Sequence, residues 1–507
     1  MPGTADLNHI APLAALSVGA LVVIAADLVA PRRMARPWVY VTAIAALVLT
    51  GWYWTGLWSA VQEGPLTSFF GAFVSDKLSL ALAGMLLVAA LLVVLMSLAH
   101  RERDMSGYLS LVLFAAAGMM VLGGAGDLMV LFVALELFSL SLYALIAFQR
   151  EREEAKEGAF KYLILGSVAA GFLLYGFGLI YGAVGSLALD QIAAYAAAGH
   201  LSPLYHAGFA LALVGFAFKL ALVLFHTWAP DAYQAAPAPV AGLMAAGTKA
   251  AALVALARFL WAVVPAGEWT AKYLLPLAVL SGLSMIVGSL ATLFQTNVKR
   301  LLAYSSITHA GYLVMPLVAL QPAGLRVSLY YLFGYMLMSL GAFAVIAALQ
   351  RQGEPGDELE TYEGLYARKP WLAMLLAFFF LALAGMPPTV GMTGKLLLVG
   401  GGLQAGAGWL VAALVVSTAI SAYAYLRVVL AAFRTAGAAV VAAAGSSVGV
   451  ASGEAVAGAE EESGEWSFAW ADIGLGVVFA LTVAGVLALG LLPETFLTAL
   501  EGLLPPR

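Results

Sequence analysis

Apolar residues run along this chain in long unbroken stretches, without the period-two alternation of half-buried strands. The stretches fall near 10–30, 38–58, 78–99, 107–124, 127–148, 160–183, 205–228, 238–264, 271–293, 300–320, 326–350, 371–400, 406–433 and 470–492. Most are about 20 residues or longer, enough for a helix to cross roughly 30 Å of hydrocarbon. The pattern predicts an all-α polytopic membrane protein of about 14 transmembrane helices. The opening segment MPGTADLNHIAPL has no basic region, so the first stretch reads as a retained helix and not a cleaved signal.

Composition agrees with the pattern. The 507 residues are 63% hydrophobic and only 10% charged, too few polar residues to clothe a soluble globule of this size. The net charge of -4 comes with no basic stripe interleaved with aromatics, so nucleic acid is not an expected partner. Without cysteine the chain offers no disulfide, thiolate zinc site or Cys-ligated iron–sulfur cluster. The six histidines show no metal-ligand spacing, and neither GxGxxG nor GxxxxGK[ST] occurs in the right context, so no cofactor, metal or nucleotide site is expected in this chain.

The loops carry an orientation signal. Fifteen of the 24 Lys and Arg residues lie in the loops after the odd-numbered stretches, including Arg32, Arg36, Arg152, Lys161, Lys299, Arg300 and Arg351. By the positive-inside rule those loops are cytoplasmic and both termini face outward. Five cations fall inside stretches and away from their first and last few residues: Lys219, Lys249, Arg258, Lys395 and Arg427. Arg258 and Arg427 lie within about two turns of a helix end and can snorkel, whereas Lys219 and Lys249 cannot. A lysine at mid-membrane costs roughly 2.5–3.5 kcal/mol on insertion scales, which makes it a functional candidate.

Stretches 4 to 8 and 9 to 13 form two blocks of five, and an odd number starts the second block from the opposite side. That is the expected sequence trace of an inverted repeat. In each block the fourth stretch is interrupted, by His226-Thr-Trp-Ala-Pro230 in the first and by Gly385-Met-Pro387-Pro388-Thr-Val-Gly391 in the second, and each interrupted stretch carries a lysine, Lys219 or Lys395. The second stretch of each block carries Glu136 or His309 near its middle. Broken backbone at membrane depth has to be satisfied by protein or lined by water, so polar interior cavities are expected at both breaks.

The resulting units are 1–104 with three helices, 105–265 and 266–434 as the two five-helix blocks, 435–466 as a small-residue, acidic, mobile cytoplasmic loop, and 467–507 with the last helix.

Glu136, Lys219, Lys249, His309 and Lys395 read as a proton relay, with His226 linking the cytoplasmic side to Lys219. An amine taken out of water holds its proton less tightly than its ordinary value near 10.4, and an approaching carboxylate opposes that change, so a moving partner can load and unload it. Tyr143, Ser139, Thr248, Ser305, Ser306 and Thr308 are candidates for holding water along the way. The competing reading is that these buried groups only pin helices together.

Three segments, FKLALVLFHTWAPDAYQAAPAPVAGLMAAGTKAA, QTNVKRLLAYSSITHAGYL and LALAGMPPTVGMTGK, resemble the membrane-arm subunit N family of bacterial NADH-quinone oxidoreductase, respiratory complex I. The resemblance spans most of 10–433 and the last helix. It implies fourteen helices, two inverted five-helix repeats with broken seventh and twelfth helices, and proton translocation driven by quinone reduction elsewhere in the complex. The family's glutamate on the fifth helix falls on Glu136, and its lysines on the seventh, eighth and twelfth fall on Lys219, Lys249 and Lys395. NADH, FMN, iron–sulfur clusters and quinone are then expected in partner subunits, with the other membrane-arm subunits and lipid as neighbours in a bacterial inner membrane. Met392 stands where the family usually has Phe, and the acidic segment near 435–465 is longer than usual. On this reading Lys219 with Glu136 is the loading site, Lys249 the central relay and Lys395 the exit-side group. Two other functions remain open at this point: a subunit of a multi-subunit cation/proton antiporter, and a structural scaffold.

Overall fold

A computed structural model describes residues 4–31, 34–100, 104–199, 201–352, 356–434 and 464–503. Among these, twelve helices are long and apolar enough to cross a membrane. In chain order the main helices are α1 (Ala11–Val29), α2 (Ala35–Ala60), α3 (Lys77–Ser97), α4 (Met105–Gly123), α5 (Leu128–Ile146), α6 (Glu153–Val184), α7 (Pro203–Lys219), α8 (Trp228–Ala235), α9 (Ala238–Val263), α10 (Glu268–Thr292), α11 (Val298–Val314), α12 (Pro322–Arg351), α13 (Pro370–Ala384), α14 (Val390–Gln404), α15 (Gly408–Phe433) and α16 (Gly464–Leu491).

The all-helical membrane fold and its two broken helices are as the sequence predicts. The two remaining expected crossings, near 205–228 and 371–400, are not single helices. Each is a short apolar helix followed by a second piece, α7 then α8 and α13 then α14. A small antiparallel hairpin, Leu66–Ser68 with Phe73–Ser75, joins α2 to α3. Of the expected acidic loop, residues 435–463 lie outside the described residues, and α16 has already begun at Gly464.

Helix starts are set by short polar side chains that accept from free N–H groups. Asp76 forms a reciprocal capping box with Ser79 at α3, Asp127 accepts from Val130 N at α5, and Asn297 accepts from Arg300 N at α11. Packing sorts the helices by depth. The most apolar window of α9 is 100% buried and that of α12 is 94% buried, whereas α1 is 28% and α16 33% buried. The two lysine-bearing breaks are therefore arranged around α9 and α12, and α1, α2, α15 and α16 turn large apolar side chains outward to lipid or neighbours.

Both basic side chains expected to snorkel instead cap helix ends inside the protein. Arg258 Nε donates to Gly123 O at 2.5 Å and its Nη2 pairs with Asp76 Oδ1 at 2.5 Å, tying α9 to α4 and α3. Arg427 donates to Leu293 O at 2.8 Å and to Gln295 O, closing the end of α10. Orphan carbonyls at a helix C-terminus attract a cation, and a guanidinium can serve two at once.

His100, in the turn after α3, is buried, and its carbonyl accepts from Arg36 at 2.6 Å. Burial first, and then the charge of Lys299, hold its imidazole down to about 4 from an ordinary 6.5. A histidine depressed in the folded state favours folding when it is neutral. Its contribution is full above about 6.5, is lost progressively as pH falls toward about 4, and changes no further below that. The sum is roughly 3 kcal/mol. Thermal melting of the purified complex between pH 7 and 4 is expected to show this loss, and His100→Asn to reduce its steepness; an unchanged slope would remove His100 as its source.

Candidate functional site

The first break is the more strained. Residues 220–227 separate α7 from α8, and within them Ala221 (φ 56) and Leu224 (φ 86) adopt left-handed backbone that costs non-glycine residues about 1–3 kcal/mol each. The exposed polar backbone is nonetheless answered: Leu222 N bonds Ala217 O at 2.9 Å, Val223 N bonds Ser284 Oγ at 2.8 Å, and Trp228 Nε1 reaches Phe218 O at 3.1 Å. The break ends earlier than the His226–Pro230 motif suggests. Pro230 sits in the first turn of α8, where its missing N–H costs nothing.

Lys219 is the last residue of α7 and is buried. Its Nζ donates to Ser139 Oγ at 2.7 Å and stands 3.5 Å from Glu136 Oε1, with the face of Phe138 5.6 Å away. Glu136 is 26% exposed, on a face of α5 whose neighbours Val133, Leu137 and Leu140 are also exposed. The carboxylate therefore lies at the rim of the molecule and the ammonium inside it. At 3.5 Å the gross Coulomb attraction is about 5 kcal/mol for an effective permittivity near 20.

Lys249 lies in the buried α9, immediately after a π-helical turn at Met244–Thr248. A π turn inserts an extra residue, re-aims the side chains that follow, and often marks a functional site. Here Lys249 Nζ donates to Leu220 O at 3.1 Å, a carbonyl that α7 leaves at its broken end, one residue after Lys219. Lys395 repeats the device at the second break, donating to Leu383 O and Ala384 O, both at 2.9 Å, the last carbonyls of α13. Each broken helix thus turns its negative C-terminal end toward a lysine for which the described residues show no carboxylate partner. Close backbone approach makes the second arrangement possible: a Cβ on Gly391 would fall 1.8 Å from Ala382 O.

His309 is buried in α11, within electrostatic reach of Lys395 and Lys249. Tyr331 OH meets its Nδ1 at 2.9 Å, Tyr425 OH stands 3.5 Å from its Nε2, and the rings of Tyr335 and Tyr312 lie 4.6 Å and 5.2 Å away. Tyr312 in turn faces Lys395 Nζ at 5.7 Å. The sequence reading missed these four tyrosines, which lie on three different helices and share no local pattern.

The small polar candidates divide. Ser139 contacts Lys219, Ser305 Oγ meets Tyr425 OH at 2.5 Å, and Ser306 Oγ meets Tyr233 OH at 3.2 Å. Thr248 and Thr308 bond back to Met244 O and Tyr304 O in their own helices. The buried hydroxyl of Tyr143 has no hydrogen-bond partner among the described residues. His226 lies in the first break, half-buried, its carbonyl capping α8 through Ala229 N at 2.9 Å and its Nδ1 without a partner among the described residues. Among the described residues no hydrogen bond or ion pair joins His226 to Lys219. Glu136 thus pairs with Lys219, Lys249 takes the carbonyl that follows Lys219, and His309 is within electrostatic reach of Lys249 and Lys395, while His226 lies in the first break. No group of three or more metal-ligating side chains occurs among the described residues.

Charged side chains at the free ends of two broken membrane helices define a transporter-like membrane protein. The chain belongs to the family described as NADH:quinone oxidoreductase/Mrp antiporter, TM, which matches residues 125–421. It is 42% identical to the NADH-quinone oxidoreductase subunit N 1 of Symbiobacterium thermophilum over 99% of this chain and 100% of that one. Among solved structures, it is similar to a chain of respiratory complex I from Thermus thermophilus, at 34% identity and a TM-score of 0.74, covering 96% of this chain and 99% of the other. A chain of the Mrp complex from Dietzia, 22% identical with a TM-score of 0.74 over 98% of this chain and 100% of that chain, shares the fold.

Proposed function

We propose that this chain is a proton-translocating membrane-arm subunit of an NADH-quinone oxidoreductase, with redox cofactors and quinone held by partner subunits. It sits in a bacterial inner membrane with the basic-rich end cytoplasmic and both termini outside. The observation that carries the reading is the Glu136–Lys219 pair with Lys249 on the next carbonyl, which together with His309 and Lys395 we read as one row, set within a chain whose relatives over nearly its whole length are subunits of that complex.

The chemistry follows from the contacts. With Glu136 at 3.5 Å, the charge on Lys219 is held at the start of the row. Drawing Glu136 toward a neighbouring subunit removes that attraction, and the charge moves on to Lys249, whose ammonium is received by Leu220 O at the negative end of α7. His309 in its tyrosine cage bridges to Lys395, from which the proton leaves to the outside. His226 serves as a cytoplasmic-side relay only when water links it to Lys219. Beyond Lys219, carbonyl and hydroxyl oxygens receive the moving charge in place of a carboxylate.

The antiporter reading shares the fold and is separated by one experiment. In proteoliposomes holding the purified complex, proton movement is expected to require NADH and quinone and to proceed with Na+ replaced by choline. Na+-dependent proton exchange without an electron donor would overturn this reading.

A further inference from the structure

The row described above leaves out one fully buried lysine. Lys299, which the sequence groups with the basic loops, is in the first turn of α11 and is 0% exposed. Its Nζ pairs with Asp357 Oδ2 at 3.1 Å and donates to Ala236 O at 3.0 Å. Asp357 belongs to the segment after α12 and is 16% exposed, so it reaches water while Lys299 does not. Its other carboxylate oxygen accepts from Gln350 Nε2 at 2.8 Å, and its backbone carbonyl accepts from Val298 N at 2.6 Å. Among the described residues, the remaining charged or titratable groups facing Lys299 are Arg152, at the start of α6, and His100.

We propose that Asp357 and Lys299 form a second proton intake from the cytoplasm, feeding His309 in the second block without passage through Lys219. The inference rests on the reading of the chain as a proton translocator. Three features carry it. The pair has the graded burial of a mouth: a partly exposed carboxylate outside, a fully buried amine within. A pair serving only to hold helices together would be as stable with apolar side chains, since burying two charges costs several kcal/mol per ion before their attraction is counted. The inner end also points at further hydroxyls. Ser306 lies seven residues on, two turns along the same face of α11 and about 10.5 Å inward. Its Oγ meets Tyr233 OH on α8, three residues before the Ala236 carbonyl that Lys299 holds, so α8 flanks the whole interval. Beside it, Ser305 leads through Tyr425 OH to His309 Nε2.

The transfer balances simply. Lys299 as ammonium releases a proton inward through water to the Ser306, Ser305 and Tyr425 hydroxyls and becomes the neutral amine. Asp357, protonated from cytoplasmic water, returns a proton to it and becomes a carboxylate again. Leu302 and Ala303, both buried, narrow the interval, so it conducts only when water enters between α8 and α11.

The test uses the assembled complex in proteoliposomes, reading protons moved per NADH oxidised. Lys299→Arg keeps the charge, the contact with Asp357 and donors for Ala236 O, but a guanidinium does not give up its proton. It is expected to assemble and melt normally and to lower the ratio, as is Asp357→Asn. The double variant Lys299→Met with Asp357→Leu removes both charges together and serves if the arginine variant fails to assemble; the same fall is expected. Lys249→Ala is the control. If Lys249→Ala lowers the ratio while the intake variants leave it at the wild-type value, the intake is refuted and the row stands. If Lys249→Ala leaves the ratio unchanged, the translocator reading fails, and the intake with it.

Discussion

In the assembled complex, Lys219→Ala is expected to slow the proton-transfer step it serves by about 10²–10⁴-fold, the range for loss of a positioned acid–base group. The chain should still insert, because the substitution removes a charge from the bilayer interior. Glu136→Gln keeps the shape of the partner and removes only its charge, and should act in the same direction with a smaller effect. The two act through one contact, 3.5 Å between Nζ and Oε1, so the double variant should be no worse than Lys219→Ala alone. Proton uptake by inside-out vesicles, followed with a pH-sensitive dye during NADH oxidation, measures all three. Full additivity would mean that the two residues serve separate steps, and wild-type uptake in both single variants would remove the pair from the path.

The second large effect is expected at Lys395. Its ammonium is the partner of two carbonyls, Leu383 O and Ala384 O, at the end of a broken helix inside the protein. Lys395→Ala leaves the buried Leu383 O without its donor, at about 1–3 kcal/mol, leaves the half-buried Ala384 O without its donor at a smaller cost, and also removes the relay group. Lys395→Arg restores donors and charge without a labile proton. The alanine variant should therefore lower both the melting temperature of the complex and its pumping, and the arginine variant should recover the first and not the second. Recovery of pumping by arginine would show that Lys395 is a cap for α13 and nothing more.

The sequence exposes what is expensive. Lys219, Lys249 and Lys395 were identifiable because a charge inside a long apolar stretch has to have a reason, and both helix breaks were identifiable from Gly and Pro at membrane depth. The first break lies a few residues before its proline because strain is concentrated at Ala221 and Leu224, which carry no turn signature. Other features depend on tertiary contacts. The π turn before Lys249 follows from helix packing and not from any residue type. The tyrosines around His309 come from α11, α12 and α15, and tyrosine is too common in membrane helices to stand out. Lys299 looked like loop charge because it adjoins basic residues; the segment carrying Asp357 folds over it and makes it interior.

Lys249 offers the most direct test of the central claim that protons cross this chain along its buried row. It stands in the middle, buried, with a single backbone carbonyl as hydrogen-bond acceptor, so Lys249→Ala breaks no ion pair. The measurement is protons translocated per NADH oxidised by proteoliposomes carrying the intact complex with that substitution. The account expects the ratio to fall below the wild-type value while the complex remains assembled; a wild-type ratio at a wild-type rate of NADH oxidation would contradict it.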